Sequence, residues 1–292
     1  MERDGQESAR TDGTASLADL SENDFERLAT HLRRLTGIHL PYSSKNVSLM
    51  SGRIAKLARR HSGQLDATAI ANGLDHGDEA ITTAFVNTLT TNTTSFFREP
   101  DHFAILVDEI PKILTRRVRG QPADLRVWCA AASTGQEPYT IAIVLKEVLG
   151  DSQAQVKFLA TDIDSDVLRA AKAGTYRKEE MVGLSPAQIK SFFEQVSDVP
   201  PLYRAGSDIK ALIRFARVNL LDLPYPFEHA FDVVFCRNVF IYFEPETVST
   251  IVSEIVRHLR VGGILLVGHS ETLIRPPRGL ERIGPAVFRK TA

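Results

Sequence analysis

Three groups of polar residues stand where apolar runs end, and their types narrow the chemistry. Leu125-Arg126-Val127-Trp128-Cys129-Ala130 reads as a buried strand that runs into Ala131-Ala132-Ser133-Thr134-Gly135, where every side chain is small. Glu137 opens a helix predicted over Pro138 to Leu149, and a second strand, Val156 to Ala160, delivers Asp162 at its carboxyl end. Small side chains let a ligand lie against the backbone, and an acid after the second strand can accept hydrogen bonds from ribose hydroxyls. A diphosphate cofactor asks for Gly-x-Gly-x-x-Gly, so that a helix N-terminus can hold the anion. Here the small positions are Ala131, Ser133 and Gly135, and Glu137 would repel a pyrophosphate. The same carboxylate suits an ammonium or a sulfonium. S-adenosylmethionine carries both cations and no phosphate.

The second group is Thr91-Asn92-Thr93-Thr94-Ser95-Phe96-Phe97-Arg98-Glu99-Pro100. Alone it reads as a polar loop capping the next helix, yet two adjacent aromatics suggest a wall against a ligand or a second domain. The third is the strand Phe231 to Cys236, which delivers Arg237, Asn238 and Tyr242 at the sheet edge where open α/β sheets bind ligands. A half-buried core tyrosine with its hydroxyl satisfied explains Tyr242 about as well as a functional role does.

The elements that must position these groups fall into two parts. Residues 17–115 read as helices: Phe25 to Thr36 behind the capping pair Ser21 and Asp24, then Lys45 to His61, Leu65 to Gly73, Asp78 to Thr88 and Asp101 to Arg119. Residues 116–124 are basic and polar, a linker, and residues 1–16 are a polar leader expected to be disordered. From 125 to 292 strand and helix patterns alternate, which argues for a doubly wound parallel α/β sheet. Its later strands are Ile213 to Val218, Phe231 to Cys236 and Gly263 to Val267, with a closing antiparallel hairpin of Leu280 to Ile283 and Ala286 to Lys290. The stretch 176–217 is too long for one crossover helix, and reads as an inserted β-ribbon subdomain with a capped helix over Ala187 to Gln195.

A formal charge of −1 over 292 residues gives no global attraction to nucleic acid or to a membrane surface. No apolar run approaches the ~18 residues of a membrane span. The two cysteines, Cys129 and Cys236, read as reduced, buried thiols of a cytoplasmic protein. The eight histidines show no paired ligand spacing, so no metal is expected. Gly268-His269-Ser270-Glu271-Thr272 half-matches a nucleophile elbow, but Thr272 stands where the last glycine should be.

Asn92 to Arg98, Ala131 to Tyr139, Ala160 to Asp164, Phe235 to Phe243 and Gly268 to Glu271 occur in that order, and together they resemble the CheR family of chemotaxis receptor methyltransferases. The likeness runs from about Leu17 to the C-terminus. It implies a Rossmann-like class I methyltransferase sheet with an inserted β-subdomain, behind an N-terminal all-α domain. It implies transfer of methyl from S-adenosylmethionine, released as S-adenosylhomocysteine, to glutamates on the cytoplasmic helices of chemoreceptors, and no metal. By the same likeness Asn92, Thr94 and Arg98 contact the cofactor, Glu137 and Asp162 take its ammonium and adenosine parts, and Asn219 and Leu220 flank the adenine. Cys236 and Arg237 line the pocket, while Arg98 and Tyr242 stand at the methyl as the catalytic pair. Other acceptors, or a non-catalytic cofactor-binding signalling module, are the rival readings; a pair facing the methyl is superfluous in the latter.

A glutamate carboxylate, with a reference pKa of about 4.3, is ionised at neutral pH and needs no general base. Alignment and water exclusion are what such an enzyme must supply. Arg53, Lys56, Arg59 and Arg60 form a basic face on the second helix, read either as a solvated face or as the dock for acidic receptor helices. The expected unit is a monomer, with a regulatory protein left open as a further partner. Some family members grip a receptor C-terminal peptide through a glycine-containing loop of the β-subdomain. Here Glu194 to Ala205 holds Pro200 and Pro201 and no glycine, a departure from that pattern.

Overall fold

The computed structural model describes residues 20–60, 65–115, 124–150, 152, 154–271 and 278–292. The leader, most of the linker and the expected last turn of the helix after Asp101 lie outside those residues. Five helices come first: α1 (Glu22–Thr36), α2 (Ser44–Arg60), α3 (Ala67–Asp75), α4 (Glu79–Leu89) and α5 (Asp101–Thr115). Their ends are written in the chain. Ser21 Oγ accepts the Asp24 N–H at the start of α1, and Gly37, at φ +77°, closes it in the left-handed region. Asp66 and Asp78 cap α3 and α4 in the same manner. Apolar residues at helical spacing (Phe25, Leu28, Leu32, Met50, Leu57, Ile70, Phe85) pack α1–α4 into a core of their own.

The remaining elements are β1 (Asp124–Ala130), α6 (Gln136–Leu149), β2 (Gln155–Asp162), α7 (Ser165–Ala173), β3 (Thr175–Arg177), α8 (Pro186–Phe192), β4 (Phe193–Asp198), β5 (Pro201–Ala205), α9 (Ser207–Lys210), β6 (Ile213–Arg217), β7 (Phe231–Cys236), α10 (Pro245–Arg257), β8 (Leu259–Leu266), β9 (Leu280–Gly284) and β10 (Val287–Lys290). Seven strands form one sheet in the order β6-β2-β1-β7-β8-β10-β9. All neighbours from β6 to β8 run parallel, while β10 is antiparallel to β8 and to β9. This is the expected doubly wound sheet with its terminal antiparallel hairpin. Order reverses between β1 and β7, so the crevice at their carboxyl ends is where such sheets take ligands.

Strand alternation builds two cores. Val127 and Cys129 of β1 face α5 and α6 with Leu106, Ile110 and Ile141, whereas Trp128 and Ala130 face α10 with Ile251 and Ile255. Trp128 is fully buried and its indole N–H donates to Thr161 Oγ1 at 2.9 Å.

The stretch expected as one inserted subdomain divides. Thr175–Arg177, Phe193–Asp198 and Pro201–Ala205 make a separate antiparallel sheet in the order β3-β5-β4, but Ile213–Arg217 is the edge strand of the main sheet, in register with Phe158–Asp162. The capped helix also stops at Phe192 rather than Gln195. Phe193 is drawn into the core against Phe96 and Tyr176, and the chain from there is strand.

Candidate functional site at the carboxyl edge of the sheet

The turn after β1 shapes the floor. Ala131 and Ser133 sit at φ +61° and +49°, and Phe97, Glu99 and Asn238 are likewise left-handed at +49°, +55° and +57°. Among the described residues only Ala286 joins these five as a non-glycine at positive φ, so left-handed backbone gathers at one place. Each such residue costs about 1–3 kcal/mol, held there by its surroundings, and that is a mark of a functional edge. Between them lies a concave cleft, the form that small-molecule sites take.

The expected residues converge on this cleft. Asn92, Thr94, Arg98, Ala131, Ser133, Glu137, Asp162, Asn219, Leu220, Arg237 and Tyr242 all line it. Two do not. Gly135 lies beneath the turn, and a Cβ there would meet the Tyr176 hydroxyl at 2.7 Å and Ala171 at 3.0 Å; the glycine is required by helix packing. Cys236 is fully buried on the α10 side of β7 among Trp128, Ala130 and Phe240. It pairs with Ala130 in register, while Cys129 pairs with Phe235, so the two thiols point to opposite faces and stay free.

Acids dominate the floor. Asp162 is 7% exposed and its carboxylate accepts the backbone N–H of Ser133 at 2.8 Å and of Asp164 at 2.9 Å. Burial pushes its pKa up to about 6, and those N–H donors restrain the rise. Glu137 accepts Arg237 Nη1 at 2.8 Å and the Cys129 thiol at 3.2 Å; burial raises its pKa against the pull of Arg237. Arg237 Nη2 donates to Glu99 Oε2 at 2.8 Å and to the Arg98 carbonyl at 2.6 Å. Burial would lower the Arg237 pKa, but Glu137 and Glu99 outweigh it and hold the pKa above its usual value. Asp162, Glu137 and Glu99 against one guanidinium leave the floor net negative, which favours a cationic ligand bearing hydroxyls and disfavours a phosphate.

The roof comes from the helical part. Thr36, the last residue of α1, and Ile38 just after it line the cleft, as do Thr90 to Thr94 after α4. The two parts are tied at this edge: the His39 N–H donates to the Tyr242 carbonyl at 2.9 Å, Asn219 Nδ2 to the Leu35 carbonyl at 2.9 Å, and Arg33 pairs with Glu244. The Asn219 amide is thereby occupied, so that residue offers a ligand mainly its backbone. On the rim, Arg98 Nη1 donates to the Thr93 carbonyl at 3.0 Å and Tyr242 is half-buried.

A CheR methyltransferase model, described as its S-adenosylmethionine binding domain, matches residues 92–285, the span that carries every floor and rim residue from Asn92 to Phe243. The chain belongs to the CheR methyltransferase family. A chemotaxis protein methyltransferase of Pseudomonas aeruginosa is 36% identical over 92% of this chain and 93% of its own length. One from Escherichia coli is 36% identical over 97% and 96%, and one from Borreliella burgdorferi 34% over 93% and 95%.

Three acids of this CheR chain carry structure that spacing did not reveal. Asp164 caps α7 with one oxygen while the other accepts Thr90 Oγ1 at 2.9 Å and Asn92 Nδ2 at 2.8 Å, latching the roof loop to the end of β2. Glu271 is buried and accepts the N–H groups of Gly268 at 2.6 Å, Asn238 at 2.8 Å and Phe240 at 2.6 Å. It therefore fixes the loop that presents Asn238 and Tyr242. Glu99, noted only as part of a loop, orients Arg237. Each lies beside a motif legible in the sequence, but only its hydrogen-bond partners across the fold give it a role.

The four basic residues expected to form a dock on α2 do not share one environment. Arg53 is no free surface cation: its guanidinium donates to the carbonyls of Thr88 at 3.3 Å and Thr90 at 2.6 Å and to Thr91 Oγ1 at 3.0 Å. These groups leave the end of α4, where orphan carbonyls need donors. Arg60 faces Asp166 of α7 at 3.6 Å. Lys56 and Arg59 remain exposed.

Proposed function

We propose that this chain transfers methyl from S-adenosylmethionine to glutamate carboxylates on the cytoplasmic helices of chemoreceptors. The observation that carries the reading is the polarity of one cleft: buried carboxylates on the floor, with Arg98 and Tyr242 on the rim above them. Bound there, S-adenosylmethionine would supply a methyl on a cationic sulfur that departs as a neutral thioether. Asp162 would accept the ribose hydroxyls and Glu137 the ammonium, with Asn219 and Leu220 beside the adenine.

The chain's own residues have a limited task. The acceptor carboxylate arrives ionised, so no side chain must remove a proton. Arg98 holds that carboxylate by a charge-assisted hydrogen bond, and Tyr242 orients it. The roof from Thr90 to Thr94, fastened by Asp164 and Arg53, shields the line of approach from water. Lys56 and Arg59 offer acidic receptor helices a first electrostatic contact.

The test is a labelled-methyl assay with receptor cytoplasmic fragments. Base treatment should release the label as methanol, because a carboxyl methyl ester is base-labile, and Arg98→Ala should lose at least 30-fold in rate while keeping its fold. A base-stable label would refute the acceptor, and undiminished turnover would remove Arg98 from the chemistry.

A further inference from the structure

His102 of α5 presents an unexplained polar atom. The residue is fully buried, and its Nε2 pairs with the Pro285 carbonyl at 3.1 Å. A carbonyl only accepts, so Nε2 carries the proton and Nδ1 holds a lone pair. Among the described residues that Nδ1 has no hydrogen-bond partner, and it faces Glu99 Oε2 at 3.5 Å, one acceptor opposite another. A buried arrangement of two lone pairs is costly unless something positive lies between them. His269 stands edge-on to His102, with ring centroids 4.6 Å apart, and its Nε2 lies 3.0 Å from Asp101 Oδ2. Across Glu99, His102 and His269, one donor atom from each lies within 4.8 Å of the others.

We propose that Glu99, His102 and His269 bind a first-row divalent cation of the zinc type. Two imidazoles and one carboxylate are a donor set for zinc or cobalt rather than magnesium or calcium. The outer hydrogen bonds are those of metal-ligating histidines, whose second ring nitrogen is held by a backbone carbonyl (Pro285, for His102) or a carboxylate (Asp101, for His269). Donors about 2.0–2.2 Å from a tetrahedral ion lie roughly 3.3 Å from one another. The Glu99–His102 pair is already at 3.5 Å, and the half-exposed His269 is the ligand able to swing in. Arg237 Nη2 at 2.8 Å and the His269 backbone N–H at 3.2 Å also donate to Glu99 Oε2, but Glu99, Glu137 and Asp101 together outnumber the one guanidinium.

The absence of paired histidine spacing gave no warning of this cluster. Its ligands come from the turn before α5, from α5 itself and from the loop after β8, and the two histidines are 167 positions apart. The ion would fasten that turn, α5 and the loop at His269 behind the cleft. Its role is to hold the Arg98–Glu99 backbone and Arg237 in place; it takes no part in methyl transfer, so the site stands apart from the choice of acceptor.

The test uses the full chain stripped with a chelator. Equimolar Co2+ should give a visible ligand-field band, and Zn2+ should bind with one-to-one stoichiometry and raise the melting temperature. His269→Gln removes an exposed ligand that contributes little to the fold. It should keep the melting temperature of the metal-free protein, lose the cobalt band and bind Zn2+ at least 30-fold more weakly. His102→Gln should do the same if it folds, and His269→Gln decides the matter if it does not. No cobalt band in the wild type, or a band and zinc affinity unchanged in His269→Gln, would overturn the site.

Discussion

Replacing Asp162 by asparagine should leave the ligand-free protein as stable as before or more so at neutral pH, while weakening the ligand. The side chain is 7% exposed and its pKa is raised from 3.8 to about 6 by burial. Because the folded pKa lies above the unfolded one, the native state binds more protons between those two values. Stability from this group is therefore fully present below the unfolded pKa and is lost as pH rises through the folded one. Two pKa units correspond to about 3 kcal/mol, of which about 1.4 kcal/mol falls between pH 5 and pH 8. Asparagine removes that charge penalty. It can accept only one of the N–H bonds from Ser133 and Asp164, and turns an amide N–H2 toward the other, at a cost of about 1–3 kcal/mol. At pH 8 the variant should therefore lie between equal to wild type and about 2 kcal/mol more stable. The difference between variant and wild type should move in the variant's favour by about 1.4 kcal/mol from pH 5 to pH 8. One lost hydrogen bond to a charged acceptor should weaken S-adenosylhomocysteine roughly 10- to 150-fold. Urea unfolding at the two pH values and calorimetric titration at pH 8 measure both effects. A variant that keeps the wild-type dependence of stability on pH, or binds within threefold of wild type, would refute the reasoning.

Other residues carry consequences of the same kind. Glu271→Gln forfeits one of three backbone N–H partners and should cost about 1–3 kcal/mol in urea unfolding. It should also lower the rate of methyl transfer, because the loop bearing Tyr242 loosens. Arg53→Ala should destabilise by about 1–3 kcal/mol by leaving the Thr88 and Thr90 carbonyls without their donor, and added salt should not abolish the loss. Lys56→Glu with Arg59→Glu should behave in the opposite way. Unfolding should be unchanged, while KM for a receptor fragment rises several-fold at low salt and the difference closes as salt increases.

Most of the frame was legible because local rules set it. Ser21 and Gly37 mark the ends of α1, the β1–turn–α6–β2 unit shows in its side-chain sizes, and the closing hairpin shows in alternating residues around Gly284 and Pro285. Most of the cleft followed, because residues at the carboxyl ends of parallel strands must share one edge. What escaped depends on distant partners. The helical periodicity that placed Arg53 on a polar face cannot see the carbonyls of Thr88 and Thr90. Gly135 was read as making room for a ligand, and the neighbours that need its bare backbone are Tyr176 and Ala171. Cys236 ends the right strand, yet its parity in register turns it to the far face. The 176–217 stretch hid a division, since Ile213–Arg217 pairs with β2 across about fifty residues of intervening chain.

The most direct measurement is a crystal structure of the full chain with S-adenosylhomocysteine. The ribose should meet Asp162, the amino group should lie near Glu137, and the sulfur should face Arg98 and Tyr242. An adenosine lodged away from Asp162, or a sulfur turned from the rim toward the protein interior, would contradict a methyl donor aimed at an incoming carboxylate.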